Sequence, residues 1–368
     1  MFESLSHLAL QQYWWVVVSL LGGILVFLMF VQGGQTLIYT VGKTEDERNL
    51  IVNSLGRKWK LSFMALLSFG GAFFASFPLF YSTSFGGAYW LWLLILICFV
   101  FQIVSYELRS KPNNLLGQSV YEYFLLFNGI AGIVLLGIAL GMFFNGAKFS
   151  INDMNLSRWE TSLHGLEAIL NPHNLLLGLS VFFLARSLAL LYFINNISNA
   201  QIITRSKIRL LRNSIAFLTC FVIFLVLLLV KYGFHYDPET KIVSMEQYKY
   251  LHNLLAMPVV LAMLFIGIVL VLFGIIRSLV GGRRFTGGIW YSGSGAILIV
   301  LSLLLIAGLN HTCYYPSTFA IEDSLTIENS SSSHHTLAVM GYVSLSIPFV
   351  AAYIFWTWRK TNKKPVTT

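Results

Sequence analysis

One arginine, Arg186, stands inside an apolar run, Phe182-Phe-Leu-Ala-Arg-Ser-Leu-Ala. A guanidinium keeps its proton in any protein setting, so it needs backbone carbonyls, a lipid head group or a carboxylate. Carboxylates near such runs are few: Glu107 and Glu122 sit where two of them end. Uncharged amides are better represented, with Gln32, Gln35, Gln102 and Asn128 inside or close to apolar runs. Gln32 and Gln35 are three apart, hence on one side of a helix. Acids and amides disposed in this way can line a hydrated proton path or bind helices to one another, and periodicity leaves both open. Histidines lie elsewhere: His7, His164, His173, His235, His252, His311, His334 and His335 all fall in loops or at run ends. A haem held within a helical bundle needs an inward-facing axial ligand, and no run supplies a histidine at its middle. Met29, Met64, Met142, Met257 and Met263 read as packing. No zinc or di-iron spacing, phosphate-binding glycine loop or nucleophile motif is present. The chain is therefore expected to bind no haem or metal through its own side chains, and His334-His335 beside Ser330–Ser333 reads as a mobile loop.

The elements that position these residues are membrane helices. Hydrophobic residues make up 57% of the 368, and charged residues 11%. A bilayer crossing needs about 20 apolar residues, and nine stretches qualify, near 13–39, 63–81, 86–106, 121–145, 174–195, 211–231, 254–277, 289–309 and 337–358. This predicts an all-α, polytopic membrane protein. Basic residues fall in alternate connections: Lys43, Arg48, Arg57, Lys58 and Lys60 in the first, Arg109 and Lys111 in the third, Arg205, Lys207, Arg209 and Arg212 in the fifth. Arg277, Arg283 and Arg284 mark the seventh, and Arg359, Lys360, Lys363 and Lys364 follow the last span. Positive charge stays on the cytoplasmic side, which puts the N-terminus outside and the C-terminus inside, as an odd number of spans requires. The net charge of +9 thus reflects insertion and contact with membrane lipid, and no nucleic-acid partner is expected. The first residues lack the basic region of a cleavable signal, so the first span is expected to serve as the targeting signal. On this frame Arg186 lies about 14 Å from the cytoplasmic end of its span near Asn195, at 1.5 Å per residue. That is deep for snorkelling; its partner is open between carbonyls or lipid and a carboxylate on this chain or a neighbouring subunit.

Trp14, Trp15, Trp59, Trp90, Trp290, Trp356 and Trp358 lie near span ends, as an aromatic belt would. The repeated Phe69-Gly-Gly-Ala and Phe85-Gly-Gly-Ala are expected to let helices approach closely. Three cysteines, Cys98, Cys220 and Cys313, give no disulfide framework.

Four strings, in order, carry a family likeness. They are Asp46-Glu-Arg-Asn-Leu-Ile-Val-Asn-Ser-Leu-Gly-Arg-Lys-Trp59 in the first cytoplasmic loop, Gly70-Gly-Ala-Phe-Phe-Ala-Ser-Phe-Pro78, Tyr106-Glu-Leu-Arg-Ser-Lys111 and Leu170-Asn-Pro-His-Asn-Leu-Leu176. The chain resembles subunit II of the cytochrome bd-type quinol oxidases over roughly residues 10–195; beyond them only span count and topology agree. The resemblance implies a single transmembrane domain, 1–368, built as two four-helix bundles (13–145 and 174–309) and a peripheral helix (337–358). It implies a haem-free subunit of the bacterial plasma membrane, paired with a subunit I that holds three haems (two b-type, one d-type) and the quinol site. The complex would oxidise quinol and reduce dioxygen to water with cytoplasmic protons. It also leaves room for a structural quinone or lipid and for small additional subunits. Glu107 and Glu122 match acidic family positions, and Glu122 sits between Tyr121 and Tyr123. Gln32 and Gln35 stand where many members carry carboxylates, and Lys60 where they carry an acid after the loop tryptophan. Acids there are associated with proton supply, so Glu107, Glu122, Gln32, Gln35 and Lys60 are the candidate proton-path positions. A secondary transporter is the other reading of nine spans; it would call for broken helices and ionisable groups at the midplane, and the in-span prolines are only Pro78, Pro258 and Pro348.

Overall fold

The computed structural model describes residues 2–112, 114–281 and 285–349 and positions 352, 353, 356 and 358. Arg283, Arg284, Arg359, Lys360, Lys363 and Lys364, together with most of the stretch 350–358, lie outside the described residues. Eight helices are long and apolar enough to cross a bilayer: α1 (His7–Gln35), α2 (Glu45–Ser76), α3 (Tyr89–Leu108), α4 (Gln118–Asn145), α5 (Pro172–Asn196), α6 (Ala200–Val230), α7 (Pro258–Val280) and α8 (Gly288–Gly308). A shorter helix, α9 (His334–Ser344), follows.

Local chemistry fixes several starts. The Thr44 hydroxyl accepts from Glu47 N–H while the Glu47 carboxylate accepts from Thr44 N–H, a reciprocal capping box that opens α2. Asn171 caps α5 through His173 and Asn174 N–H, with Pro172 in the first turn where its missing N–H costs nothing. Asn199 caps α6 in the same way.

Between 61 and 72% of the apolar windows of α1, α4, α5 and α8 is buried in protein, against 33% for α2, α3, α6 and α7. The first four helices thus make an inner layer and the others an outer one. Glycines set the inner crossings. A Cβ on Gly33 would overlap the Ala185 carbonyl, bringing α1 and α5 backbone to backbone. Gly137 would meet Gly178 at 2.6 Å across α4 and α5, and Gly267 faces the Gly295 carbonyl across α7 and α8. Dispersion and close packing stabilise such contacts where lipid supplies no hydrophobic drive between helices.

At the end opposite the basic loops, two antiparallel hairpins close the bundle: β1 (Phe149–Ile151) with β2 (Ser157–Trp159), and β3 (Tyr232–Tyr236) with β4 (Val243–Gln247). The segment after α8 packs over the same end, where Ser332 N–H donates to Ser76 O at 2.9 Å and Trp14 Nε1 to Leu337 O at 3.0 Å.

Several expectations need correction. The stretch Asp46–Lys58 is mostly helical, the first three turns of α2 rather than a loop. The all-α expectation misses the two hairpins. His334 and His335 form the first turn of α9 behind the cap of Ser333, and His334 Nε2 lies 2.9 Å from Leu5 O, so they are no loop. Trp14, Trp15, Trp59 and Trp358 are buried, while Trp90, Trp290 and Trp356 are exposed; four of these seven are core rather than belt. A Cβ on Gly71 or Gly86 would meet open space, one on Gly70 would touch the Phe85 ring at 3.5 Å, and one on Gly87 would overlap the Trp159 indole at 2.6 Å; close approach between helix backbones comes from other glycines.

Candidate functional site

Five polar side chains meet at the basic end of α1–α4 with no exposure at all: Gln32, Gln35, Ser62, Gln102 and Asn128. Neither carrier helix is regular there. A turn at Met29 precedes the Phe30–Gln35 segment of α1, and α4 widens into a π-type turn over Asn128–Gly132. Such turns add a residue per turn and re-aim a side chain; here Asn128 points inward. The Gln102 carbonyl oxygen accepts from Gln32 Nε2 at 2.8 Å, Gln35 Nε2 at 2.7 Å and Asn128 Nδ2 at 3.0 Å. Asn128 Nδ2 also donates to Gln35 Oε1 at 2.8 Å, and Gln32 Nε2 to Ser62 Oγ at 2.9 Å. The network reaches toward the basic end through Gln35 and the Tyr106 hydroxyl at 3.3 Å, and Tyr106 stacks on Trp59. Gln32 Oε1, Gln102 Nε2 and Asn128 Oδ1 have no protein partner among the described residues. The cluster is built of side-chain amides and hydroxyls, which carry no charge at neutral pH.

The two candidate carboxylates separate. Glu122 is buried and bonded: Arg109 Nη2 lies 2.5 Å from Oε1, Arg109 Nε 3.2 Å, and Arg48 Nε 3.6 Å from Oε2. Arg109 also donates to Asn49 at 2.7 Å. Burial, then the adjacent Glu122 carboxylate, push the Tyr39 phenol up from its ordinary value. Glu107 is exposed on the outer face of α3, turned away from the amides that its neighbour Tyr106 joins. Lys60 is exposed too, 5.5 Å from the Trp59 ring. The enclosed lysine is instead Lys58, whose Nζ donates to Trp358 O at 3.3 Å and lies 4.2 Å from that ring's centroid.

Arg186 is held by neutral groups: Nε donates to Asn213 Oδ1 at 2.7 Å and Nη1 to Thr36 Oγ1 at 2.9 Å, with Phe182 beneath it. No carboxylate lies within 4 Å among the described residues.

The structure thus joins Gln32 to Gln35, as their spacing predicted, but leaves Glu107, Lys60 and Arg186 outside that cluster. Sequence reading missed Ser62, Tyr106 and Arg109. Arg109 carried a signal, since it and Glu122 end adjacent antiparallel spans; Ser62 and Tyr106 carried none beyond helical spacing from Trp59 and Gln102. For metals, no group of three His, Cys, Asp or Glu among the described residues could hold an ion. The span histidine His173 has both ring nitrogens engaged, Nδ1 with Asn145 Nδ2 at 2.9 Å and Nε2 with Phe224 O at 3.4 Å, so it does not fit as an axial haem ligand.

The fold and site define a multi-pass helical membrane protein with a closed amide cluster between its first four helices. The family described as cytochrome bd terminal oxidase subunit II matches residues 10–361, and the chain belongs to it. It is accordingly one subunit of an oxidoreductase complex. It is 25% identical over 372 residues to the cytochrome bd-I ubiquinol oxidase subunit 2 of Escherichia coli (strain K12), covering 97% of this chain and 95% of that protein. It is 24% identical over 373 residues to the cytochrome bd ubiquinol oxidase subunit 2 of Bacillus subtilis (strain 168), covering 98% and 99%. The fold is similar to a chain of the bd oxidase from Geobacillus thermodenitrificans, with a TM-score of 0.58 at 11% identity over 97% of both chains.

Proposed function

We propose that this chain is the haem-free second subunit of a bacterial plasma-membrane oxidase that oxidises quinol and reduces dioxygen to water. Its work is to scaffold a subunit I that carries two b-type haems, one d-type haem and the quinol site. The family match across almost the whole chain carries this reading; a secondary transporter is not favoured by it. The membrane arrangement has nine crossings, in bundles 13–145 and 174–309 with a peripheral helix 337–358, N-terminus outside and C-terminus cytoplasmic. What supports the ninth is distance: α9 starts at the hairpin end, whereas Trp358 is buried beside Phe30, Tyr192 and Lys58 at the basic end. The chain from His334 to Trp358 exceeds the roughly 20 residues that one crossing needs.

Proton uptake from the cytoplasm is the second role the resemblance implies. Amide side chains hold no exchangeable proton charge at neutral pH, and Glu122 is locked between two arginines. The arrangement supports a structural lock joining α1 to α4 more than a proton route. A structural quinone or lipid and small subunits are compatible with this scaffold. The test is a reduced-minus-oxidised visible spectrum of the complex purified through this chain, with oxygen consumption driven by quinol. Haem bands including a d-type band, with quinol-dependent uptake, are expected; a colourless preparation from cells making haem normally would refute the reading.

A further inference from the structure

Helix α6 measures the membrane at this site. Its 31 residues extend about 46 Å at 1.5 Å each, half as long again as a hydrocarbon core of roughly 30 Å. Arg205, Lys207, Arg209 and Arg212 crowd its first turns, and 213–230 holds no charge. The hydrocarbon boundary therefore falls near Arg212 and Asn213. Arg186 bonds Asn213 directly, so its guanidinium lies at that boundary and not deep in the bilayer. The reading from α5 alone misses this because the residues beyond it, Leu188–Ile194, are apolar yet buried by protein rather than lipid.

A ladder of arginines runs along this face. Arg205 Nη1 bonds Glu47 Oε2 at 2.6 Å and Val41 O at 2.9 Å. One turn on, Arg209 Nε donates to Thr40 O at 3.2 Å, and Arg186 reaches Thr36 Oγ1. Thr36 and Thr40, both in the segment that follows α1, thus anchor the two guanidiniums, and Arg209's charge acts on Arg186. Asn213 ties them further, accepting from Arg186 and donating to the Arg209 carbonyl at 2.8 Å. Arg205 has an acid; Arg186 and Arg209 have none within 4 Å among the described residues. Arg186 Nη2 and both Nη atoms of Arg209 bond no described protein atom. Both side chains are half-buried, and these nitrogens are not among the enclosed, unpartnered ones, so they reach the surface. Two fixed cations without a counter-charge at a hydrocarbon boundary are costly, and paired guanidinium edges match phosphate geometry.

We propose that Arg186 and Arg209 clamp one anionic phosphate, supplied as the phosphodiester of a membrane lipid, at the seam of α5 and α6 against the turn after α1. The clamp is tested on the purified complex with partner subunit, comparing the chain as it stands with Arg209→Gln and with Arg186→Gln/Arg209→Gln. Reconstitution into phosphatidylglycerol bilayers should raise the thermal midpoint above that in phosphatidylcholine, and phosphatidylglycerol should survive detergent washing. Arg209→Gln, whose open edge carries no fold-essential bond beyond Thr40 O, should weaken that retention about ten-fold and remove most of the midpoint difference. Equal midpoints in both lipids for the unsubstituted complex would overturn the proposal. So would a midpoint raised as much by inorganic phosphate in detergent, which would assign the clamp to free anions. Loss of the partner subunit from Arg209→Gln with lipid retention unchanged would also overturn it, in favour of a carboxylate on that subunit.

Discussion

Glu107 and Glu122 are similar in a sequence, two acids at the basic ends of neighbouring spans, and differ completely in surroundings. One is exposed and bonds nothing described; the other is buried between Arg109 and Arg48. In the intact complex Glu107→Gln should leave quinol-driven oxygen consumption and proton uptake unchanged. Glu122→Gln should lower the thermal midpoint and yield, because a buried pair broken on one side leaves arginine charge uncompensated, at about 3–5 kcal/mol. Reduced proton uptake in Glu107→Gln with full haem content would reinstate it as a carrier. Lys231 gives a pH signature at the opposite end. Its Nζ donates to Phe144 O and Asn145 Oδ1, both at 2.7 Å, capping the end of α4. Burial pushes the ammonium down from 10.5 to about 8. Between those values the unfolded chain holds a proton that the folded chain has released, so stability should rise with pH across about 8 to 10.5. That rise in midpoint should shrink in Lys231→Gln; equal slopes would show that Lys231 does not cause it. Residue types at span ends were legible as candidates, but which of them is bonded depends on helix rotation. A shift of one residue turns a side chain by about 100° at 3.6 residues per turn, and Tyr106 and Glu107 differ by that much.

Elements were easier to read than their ends. Apolar length located eight helices because a bilayer admits few alternatives. Boundaries failed for two reasons: α2 begins at Glu45 rather than near 63 because its first three turns are charged and carry no apolar run, and α5 keeps its apolar character to Ile194 because protein rather than lipid covers that end. The glycines that bring helix backbones together were not the repeated pairs. Gly33 sits against the Ala185 backbone, and nothing flexible there can yield. Gly33→Val should therefore separate α1 from α5, costing more than the roughly 1–3 kcal/mol of ordinary overpacking, seen as lost folded yield and lost partner. Gly71→Ala, with open space around it, should be neutral or stabilise by up to about 1 kcal/mol through helix propensity. A Gly33→Val complex with an unchanged midpoint would mean that the two helices do not cross where their glycine puts them. The π-type turn at Asn128 had no sequence signal, since Asn-Gly-Ile-Ala-Gly fits an ordinary helix as well; only the three donors converging on Gln102 explain why α4 widens there.

For the whole molecule, alternating charge gives a prediction about sidedness that single elements cannot make. Lys43 lies at the basic end and Asn155 at the hairpin end, and both are exposed. Cys98 and Cys313 are buried and Cys220 lies within α6, so background labelling by a polar reagent should be low. In intact cells an impermeant maleimide should modify Asn155→Cys but reach Lys43→Cys only after lysis. His335→Cys should label like Asn155→Cys, because α9 starts at the hairpin end. On the proposed ninth crossing, a cysteine placed after Thr368 should label like Lys43→Cys, because Trp358 is buried beside Lys58 at the basic end. Positive charge sets orientation through the loops flanking each span, and here every described basic cluster votes the same way. Labelling of Lys43→Cys from outside would invert the whole molecule and move the Arg186 and Arg209 clamp to the outer leaflet. Labelling of both His335→Cys and the terminal cysteine from one side would leave eight crossings, with the last segment returning to the surface it left. The burial of Trp358 argues against that arrangement, since an indole enclosed by Phe27, Phe30, Tyr192 and Trp290 is anchored at the far end of the bundle from Ser333.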